Sequence, residues 1–123
     1  MTQLHGLRVM ILEDEALVSL LLEDMIEDLG CKVVGAFCRL DHALEAVANG
    51  AELDVAVLDV NVAGQHSFPL AETLALRGVP YVFATGYDES GLPDRWRGAA
   101  TLRKPFLQEQ VADALSAAIG LTR

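Results

Sequence analysis

Five short apolar runs, separated by stretches of helical periodicity, constrain the fold of this chain more than any other feature. "LRVMIL" (7–12), "KVVGAF" (32–37), "DVAVLDV" (54–60), "VPYVFAT" (79–85) and "ATLRK" (100–104) read as strands. Near-continuous apolar runs of this kind suit strands covered on both faces. The segments between them read as helices. "EALVSLLLEDMIEDLG" (15–30) has a wide apolar face at Leu17, Val18, Leu21, Leu22, Met25 and Leu29, and Gly30 closes it. Asp41 is placed to cap a short helix carrying Leu44 and Val47 that ends at Asn49-Gly50. Pro69 fits the first turn of a helix running to about Arg77, with Gly78 as its stop. "LQEQVADALSAAIG" (107–120) sets Leu107, Val111, Ala114, Leu115 and Ala118 on one face. Alternation of this kind implies βαβ units with right-handed crossovers. The fold class is therefore α/β, a doubly wound five-stranded parallel sheet with helices on both faces. One segment fits poorly. Gly91 and Pro93 interrupt "GYDESGLPDRWRGAA" (86–100), which predicts a short, distorted or mobile fourth helix.

A length of 123 residues matches one ordinary domain, and 52 % hydrophobic residues argue against disorder. No apolar run is long enough to span a bilayer, and the start "MTQLHGLRV" lacks the pattern of a signal peptide. The expectation is a soluble, cytoplasmic protein. The 9 basic and 18 acidic residues give a net charge of −9, which disfavours direct binding to nucleic acid. Cys31 and Cys38 lack metal-site spacing and read as reduced thiols in or near the core. His5, His42 and His66 also lack ligand spacing and read as surface or loop residues, with His66 close to the loop after the third strand. Trp96 suits core or cap packing as well as a partner contact.

The chemistry-bearing residues collect in one kind of place. In "VAVLDVNVAG" (55–64) a buried-type strand runs straight into Asp59, then turns through Asn61 toward Gly64. Such a carboxylate is a helix cap, a metal ligand or a nucleophile. Glu13, Asp14 and Glu15 follow the first strand, Thr85 ends the fourth and Lys104 ends the fifth. Ligands of open α/β sheets bind at the carboxyl ends of the strands, where strand order reverses. In the common order 2-1-3-4-5, Glu13, Asp14, Asp59, Thr85 and Lys104 converge on one crevice. Carboxylates crowded in one crevice repel unless a charge offsets them, and Mg²⁺ suits one or two carboxylates with water and a phosphate oxygen. With the Lys104 cation and the Thr85 hydroxyl this makes a phosphoryl-transfer set, in which Asp59 is the nucleophile.

The pieces "VMILEDE", "VLDVNVAG", "FATG" and "LRKPF" stand in the order and spacing of a receiver domain of two-component response regulators. The chain resembles that family over essentially its whole length, residues 1–123, with no output domain inside it. The resemblance implies a flavodoxin-like receiver fold. It implies that Asp59 is the phosphoacceptor, that Glu13, Asp14 and the backbone carbonyl of Asn61 join Asp59 in holding Mg²⁺ (or Mn²⁺), and that Thr85 and Lys104 bind the phosphoryl group. Lys104-Pro105 would be a cis peptide, an isomer that X-Pro bonds reach at modest cost. Tyr87, Thr101, Pro105 and Phe106 fall at switch or partner-facing positions. Many receivers carry an aromatic where this chain has Thr101, so Tyr87 is expected to replace it. "FATGY" (83–87) is similar to a subgroup with a Phe-Ala-Thr-Gly motif followed by an aromatic, with one residue fewer before the Tyr. That subgroup implies a histidine kinase of the HWE or HisKA2 type. A histidine phosphotransfer protein is the other implied donor.

The resulting expectation is a stand-alone receiver, not a turnover enzyme, that takes a phosphoryl group on Asp59 and signals through protein contacts. It would be a monomer or a weak phosphorylation-dependent dimer, with possible autodephosphorylation. Two other readings compete. A non-phosphorylated pseudo-receiver would keep the fold as an interaction module. A haloacid-dehalogenase-type phosphatase is echoed by "DVNV" (59–62), but Asn61 replaces the second Asp of that motif, which removes the general acid.

Overall fold

The computed structural model describes residues 4–86 and 92–120. The sheet strands are β1 (Arg8–Leu12), β2 (Lys32–Phe37), β3 (Val55–Asp59), β4 (Tyr81–Thr85) and β5 (Ala100–Arg103). The helices are α1 (Ala16–Asp28), α2 (Leu40–Ala48), α3 (Phe68–Leu76) and α4 (Gln108–Ala118). The five strands are all parallel and lie in the order β2-β1-β3-β4-β5. This is the expected doubly wound sheet, with each strand within one or two residues of its predicted span.

The central strands β1, β3 and β4 are apolar on both faces because both faces are covered, whereas the edge strand β2 alternates between exposed and half-buried residues. On one side Val9, Ile11, Val55, Val57, Val82, Ala84 and Leu102 pack with Leu22 and Ile26 of α1 and Val111 and Leu115 of α4. On the other, Met10, Leu12, Ala56, Leu58 and Phe83 pack with Ala43 and Val47 of α2 and Leu70 and Leu74 of α3. Successive residues of a strand point to opposite faces, so two separate cores result. All five residues of β3 are buried. Each Val or Leu there contributes roughly 1.5–3 kcal/mol relative to exposure.

Several local expectations are corrected. The face of α1 does not include Leu17 or Leu21, which are 82 % and 50 % exposed. Its buried pair is Leu22 and Ile26. Leu107 is likewise 63 % exposed at the start of α4, although Val111, Ala114 and Leu115 are buried as expected. Helix α2 begins at Leu40 with Arg39 as its N-cap, two residues before the expected cap, so Asp41 lies in its first turn, where it accepts hydrogen bonds from Arg39 and from the His42 amide. Cys31 is buried but Cys38 is exposed. Pro69 does sit in the first turn of α3. Among the described residues of the fourth crossover, Asp94–Trp96 form a 3₁₀ turn, and Trp96 is buried in the core. A feature absent from the sequence reading is a small antiparallel hairpin between β3 and α3, which pairs Asn61 with His66 and Val62 with Gln65.

Candidate functional site

Parallel strands all end on the same edge, and β1 and β3 lie side by side, so the polar residues after them meet. The ladder continues past the strand ends. The Glu13 amide donates to the Phe37 carbonyl at 2.9 Å, the Val60 amide to Ala84 at 3.0 Å and the Lys104 amide to Thr85 at 2.9 Å. These bonds fix the backbone directly under the Glu13, Asp59 and Lys104 side chains.

Glu13, Asp14 and Asp59 each offer a carboxylate oxygen to a cluster whose atoms lie within 4.8 Å of one another. Such a cluster has the donor type and charge to hold a hard cation. Lys104 reaches in from the end of β5. Its Nζ lies 2.7 Å from Glu13 Oε1, 3.1 Å from Asp59 Oδ2 and 3.7 Å from Glu15 Oε1. The second oxygen of Glu13 accepts the Glu15 amide at 2.9 Å. Asp14 turns to the hairpin and accepts the Ala63 amide at 2.9 Å. Ala63 stands at φ 51°, a left-handed conformation that strains a residue with a side chain.

Charge is out of balance here. Glu13 and Asp59 are only 3 % and 8 % exposed. Burial pushes both carboxyl groups above their ordinary pKa, against the lowering effect of Lys104. For Lys104 burial acts downward, but its bonds to Glu13 and Asp59 outweigh it and the ammonium is held above its ordinary value. One part-buried cation therefore serves more carboxylates than it can neutralise.

The remaining expected residues fall as follows. Thr85 is buried at the end of β4, one residue beyond the Asp59–Ala84 pair. Asn61 is exposed in the hairpin, and its backbone is among the groups that hold the Asp59 carboxyl down against the effect of burial. The Lys104-Pro105 bond is cis, and Phe106 is buried beneath it. Thr101 is away from the cleft. It pairs with Phe83 inside β5 and lines a groove against α4 with Gln110, Asp113 and Ala117. Tyr87 lies outside the described residues. Ala63 is a site neighbour that the sequence did not single out, whereas Glu15, placed by the sequence after the first strand, is the N-cap of α1 and reaches Lys104. An alanine in a left-handed turn carries no sequence signal. Lys104 also lines a second, mostly apolar groove with Glu15, Val18, Leu21, Pro105 and Phe106.

Comparison with solved structures places this site in context. The solution structure of SdrG from Sphingomonas melonis Fr1 is 39 % identical, covers 96 % of this chain and 99 % of its own, and superposes with a TM-score of 0.83. The receiver (REC) domain of the response regulator PhyR from Erythrobacter litoralis is 28 % identical with a TM-score of 0.81, over 99 % of this chain and 96 % of its own. This chain is a response-regulator receiver domain. No family model matches the sequence. Among curated proteins, the transcriptional regulatory protein PdtaR of Mycobacterium tuberculosis is 30 % identical over 120 residues. That match covers 94 % of this receiver and 58 % of PdtaR, so the chain spans about half the length of the curated relatives it matches. Among the described residues no helix is long and apolar enough to cross a membrane.

Proposed function

We propose that this receiver accepts a phosphoryl group on Asp59. The observation that carries this is the placing of a buried carboxylate 3.1 Å from Lys104 Nζ within an acidic cluster that lacks matching positive charge. An Asp59 oxygen attacks the phosphorus of a phosphohistidine donor. The P–N bond breaks, its electron pair leaves with the imidazole, and an acyl phosphate forms on Asp59. Glu13, Asp14, Asp59 and the Asn61 carbonyl would hold Mg²⁺, or Mn²⁺ in its place. The ion would supply the positive charge that the gathered oxygens require. Lys104 is the resident cation that passes from the carboxylates to a phosphoryl oxygen. Thr85 supplies a hydroxyl donor from the neighbouring strand. Release of phosphate by water would reset the domain without making it a turnover enzyme.

A structure of SdrG in a BeF₃-activated conformation supports the reading. That relative is 40 % identical over 93 % of this chain and 98 % of its own. The donor would be a histidine kinase, of the HWE or HisKA2 type if the "FATG" similarity extends to partners, or a histidine phosphotransfer protein. Its docking surface is the apolar groove that shares Lys104 with the cleft, together with the exposed Leu17, Leu20 and Leu21 of α1. An apolar patch contiguous with a reactive site is a recognised mark of an interaction surface. The signal then leaves through protein contacts.

The test is intact mass after incubation with Mg²⁺ and acetyl phosphate. One added phosphoryl group is expected, absent without Mg²⁺ and absent in Asp59→Asn. An unmodified wild-type chain that also fails to bind beryllofluoride would establish the pseudo-receiver reading instead.

A further inference from the structure

Aromatic rings form an unbroken line from the hairpin beside Asp59 to the 3₁₀ turn at Asp94–Trp96. His66 stacks on Phe68 with centroids 5.3 Å apart and planes 17° apart. Phe68 stacks on Trp96 at 5.8 Å and 8°. Trp96 in turn meets the edges of Phe83 at 5.8 Å and Tyr81 at 5.9 Å, both on β4. These separations lie in the range where aromatic pairs attract through their quadrupoles. A second contact holds the same turn to the same helix. The Arg95 guanidinium lies 4.7 Å over the Trp96 ring and pairs with Glu72 of α3 at 3.0 Å.

The other end of the line is tied to the acidic cluster through the hairpin turn. Asn61 follows Asp59 by two residues and pairs with His66 across the hairpin. Ala63, in the hairpin turn, donates its backbone N–H to Asp14. That acceptor loses or shares oxygen lone pairs when a cation or a phosphoryl group enters the cleft. The hairpin must then shift, and His66 shifts with it. Close-packed rings pass displacement on, because an interior of this density has little room to absorb it.

We propose that the stack His66–Phe68–Trp96 couples the state of the Asp59 cleft to the docking of the Asp94–Trp96 turn on α3. The turn is the responding element. It is held by the Phe68 stack, by the Phe83 and Tyr81 edges on β4 and by the Arg95–Glu72 ion pair, so loosening of the stack removes one of its links to α3 and leaves the exposed salt bridge as the other. The groove at Thr101 has no ring to serve the same purpose on β5. Coupling is reciprocal, so truncation of the stack also changes the affinity of the cleft for its ligands.

The proposal rests on Asp59 as the phosphoacceptor, and the experiment separates the two. Trp96 is the only tryptophan, so its emission reports the turn alone. The full chain is titrated with Mg²⁺ and beryllofluoride while bound fluoride is followed by ¹⁹F NMR. In the wild type, emission is expected to change in step with fluoride binding. In Phe68→Leu the fluoride signal remains and the emission change falls at least twofold. His66→Ala, at an exposed position that does not threaten folding, shows the same loss, and His66→Phe restores the response. Bound fluoride with no emission change in the wild type overturns the coupling while leaving the phosphoacceptor reading intact. So does an undiminished change in both truncated variants. Failure of the wild type to bind fluoride removes the phosphoacceptor reading and the coupling with it.

Discussion

Strand β3 has an aspartate beside each end, and the two behave in opposite ways. Asp54, just before the strand, accepts the Arg8 backbone amide at 2.8 Å, Arg8 Nε at 3.1 Å and a terminal guanidinium nitrogen at 3.0 Å. Those bonds hold its carboxyl below the ordinary pKa. Asp59 at the other end shares one ammonium with Glu13 while buried, and burial holds its carboxyl above the ordinary value. Both are strand-end carboxylates paired with a cation. The difference is stoichiometry and solvent. A satisfied, part-exposed pair at the amino edge clamps two strands. A buried cluster short of positive charge at the carboxyl edge is the arrangement on which the proposed cation binding and phosphoryl transfer rest.

The sharpest way to break this contrast is to remove each aspartate in turn. Asp59→Asn is expected to abolish the phosphoryl adduct in intact-mass measurements, whereas Asp54→Asn leaves it in place. Removal of the two cations comes next. Lys104→Met leaves three carboxylates crowded together and is expected to cost on the order of 3 kcal/mol by urea unfolding without Mg²⁺. Saturating Mg²⁺ should restore most of that loss. Arg8→Met should lower stability far less, and Mg²⁺ should not restore it, because its pair is largely solvated.

The smallest effect is in pH. Groups with raised carboxyl pKa bind protons more tightly when folded, so the metal-free domain gains stability as pH falls through the raised values of Glu13 and Asp59. That gain levels off below their ordinary values of 4.5 and 3.8. Asp54 acts in the opposite sense, since its lowered pKa gives stability above 3.8 that is lost as pH falls through its folded value. Thermal melts of the metal-free protein should therefore trace a maximum in the mildly acidic range. Asp59→Asn should flatten the limb toward neutral pH, and Asp54→Asn the acidic limb.

The sheet and the gathering of acidic residues and Lys104 at one edge are legible in the sequence because they depend on patterns with few alternatives. A run such as "VAVLD" tolerates only a doubly covered strand, and β1, β3 and β5 bring Glu13, Asp14, Asp59 and Lys104 to one edge whatever the loops do. Helix α1 was misread for the opposite reason. Its leucines occupy several sides, so periodicity offers more than one apolar face, and tertiary contact selects Leu22 and Ile26 over Leu17 and Leu21. Asp41 looked like a cap because its residue type favours that place, but the chain starts the helix at Leu40, where a buried leucine anchors the turn. The hairpin was invisible because two-residue strands carry no periodic signal. The ring stack joins residues 66, 68 and 96, and no local pattern reports a pairing across that separation.

Lys104 gives the cleft the character of an ion exchanger. Its ammonium already stands among the carboxylates, so uptake of the proposed divalent ion would be a swap of one counter-ion for another, not the filling of a vacant place. Apparent metal affinity then reflects the difference between two occupants, and a longer or shorter tether on the resident amine would retune it without altering any carboxylate.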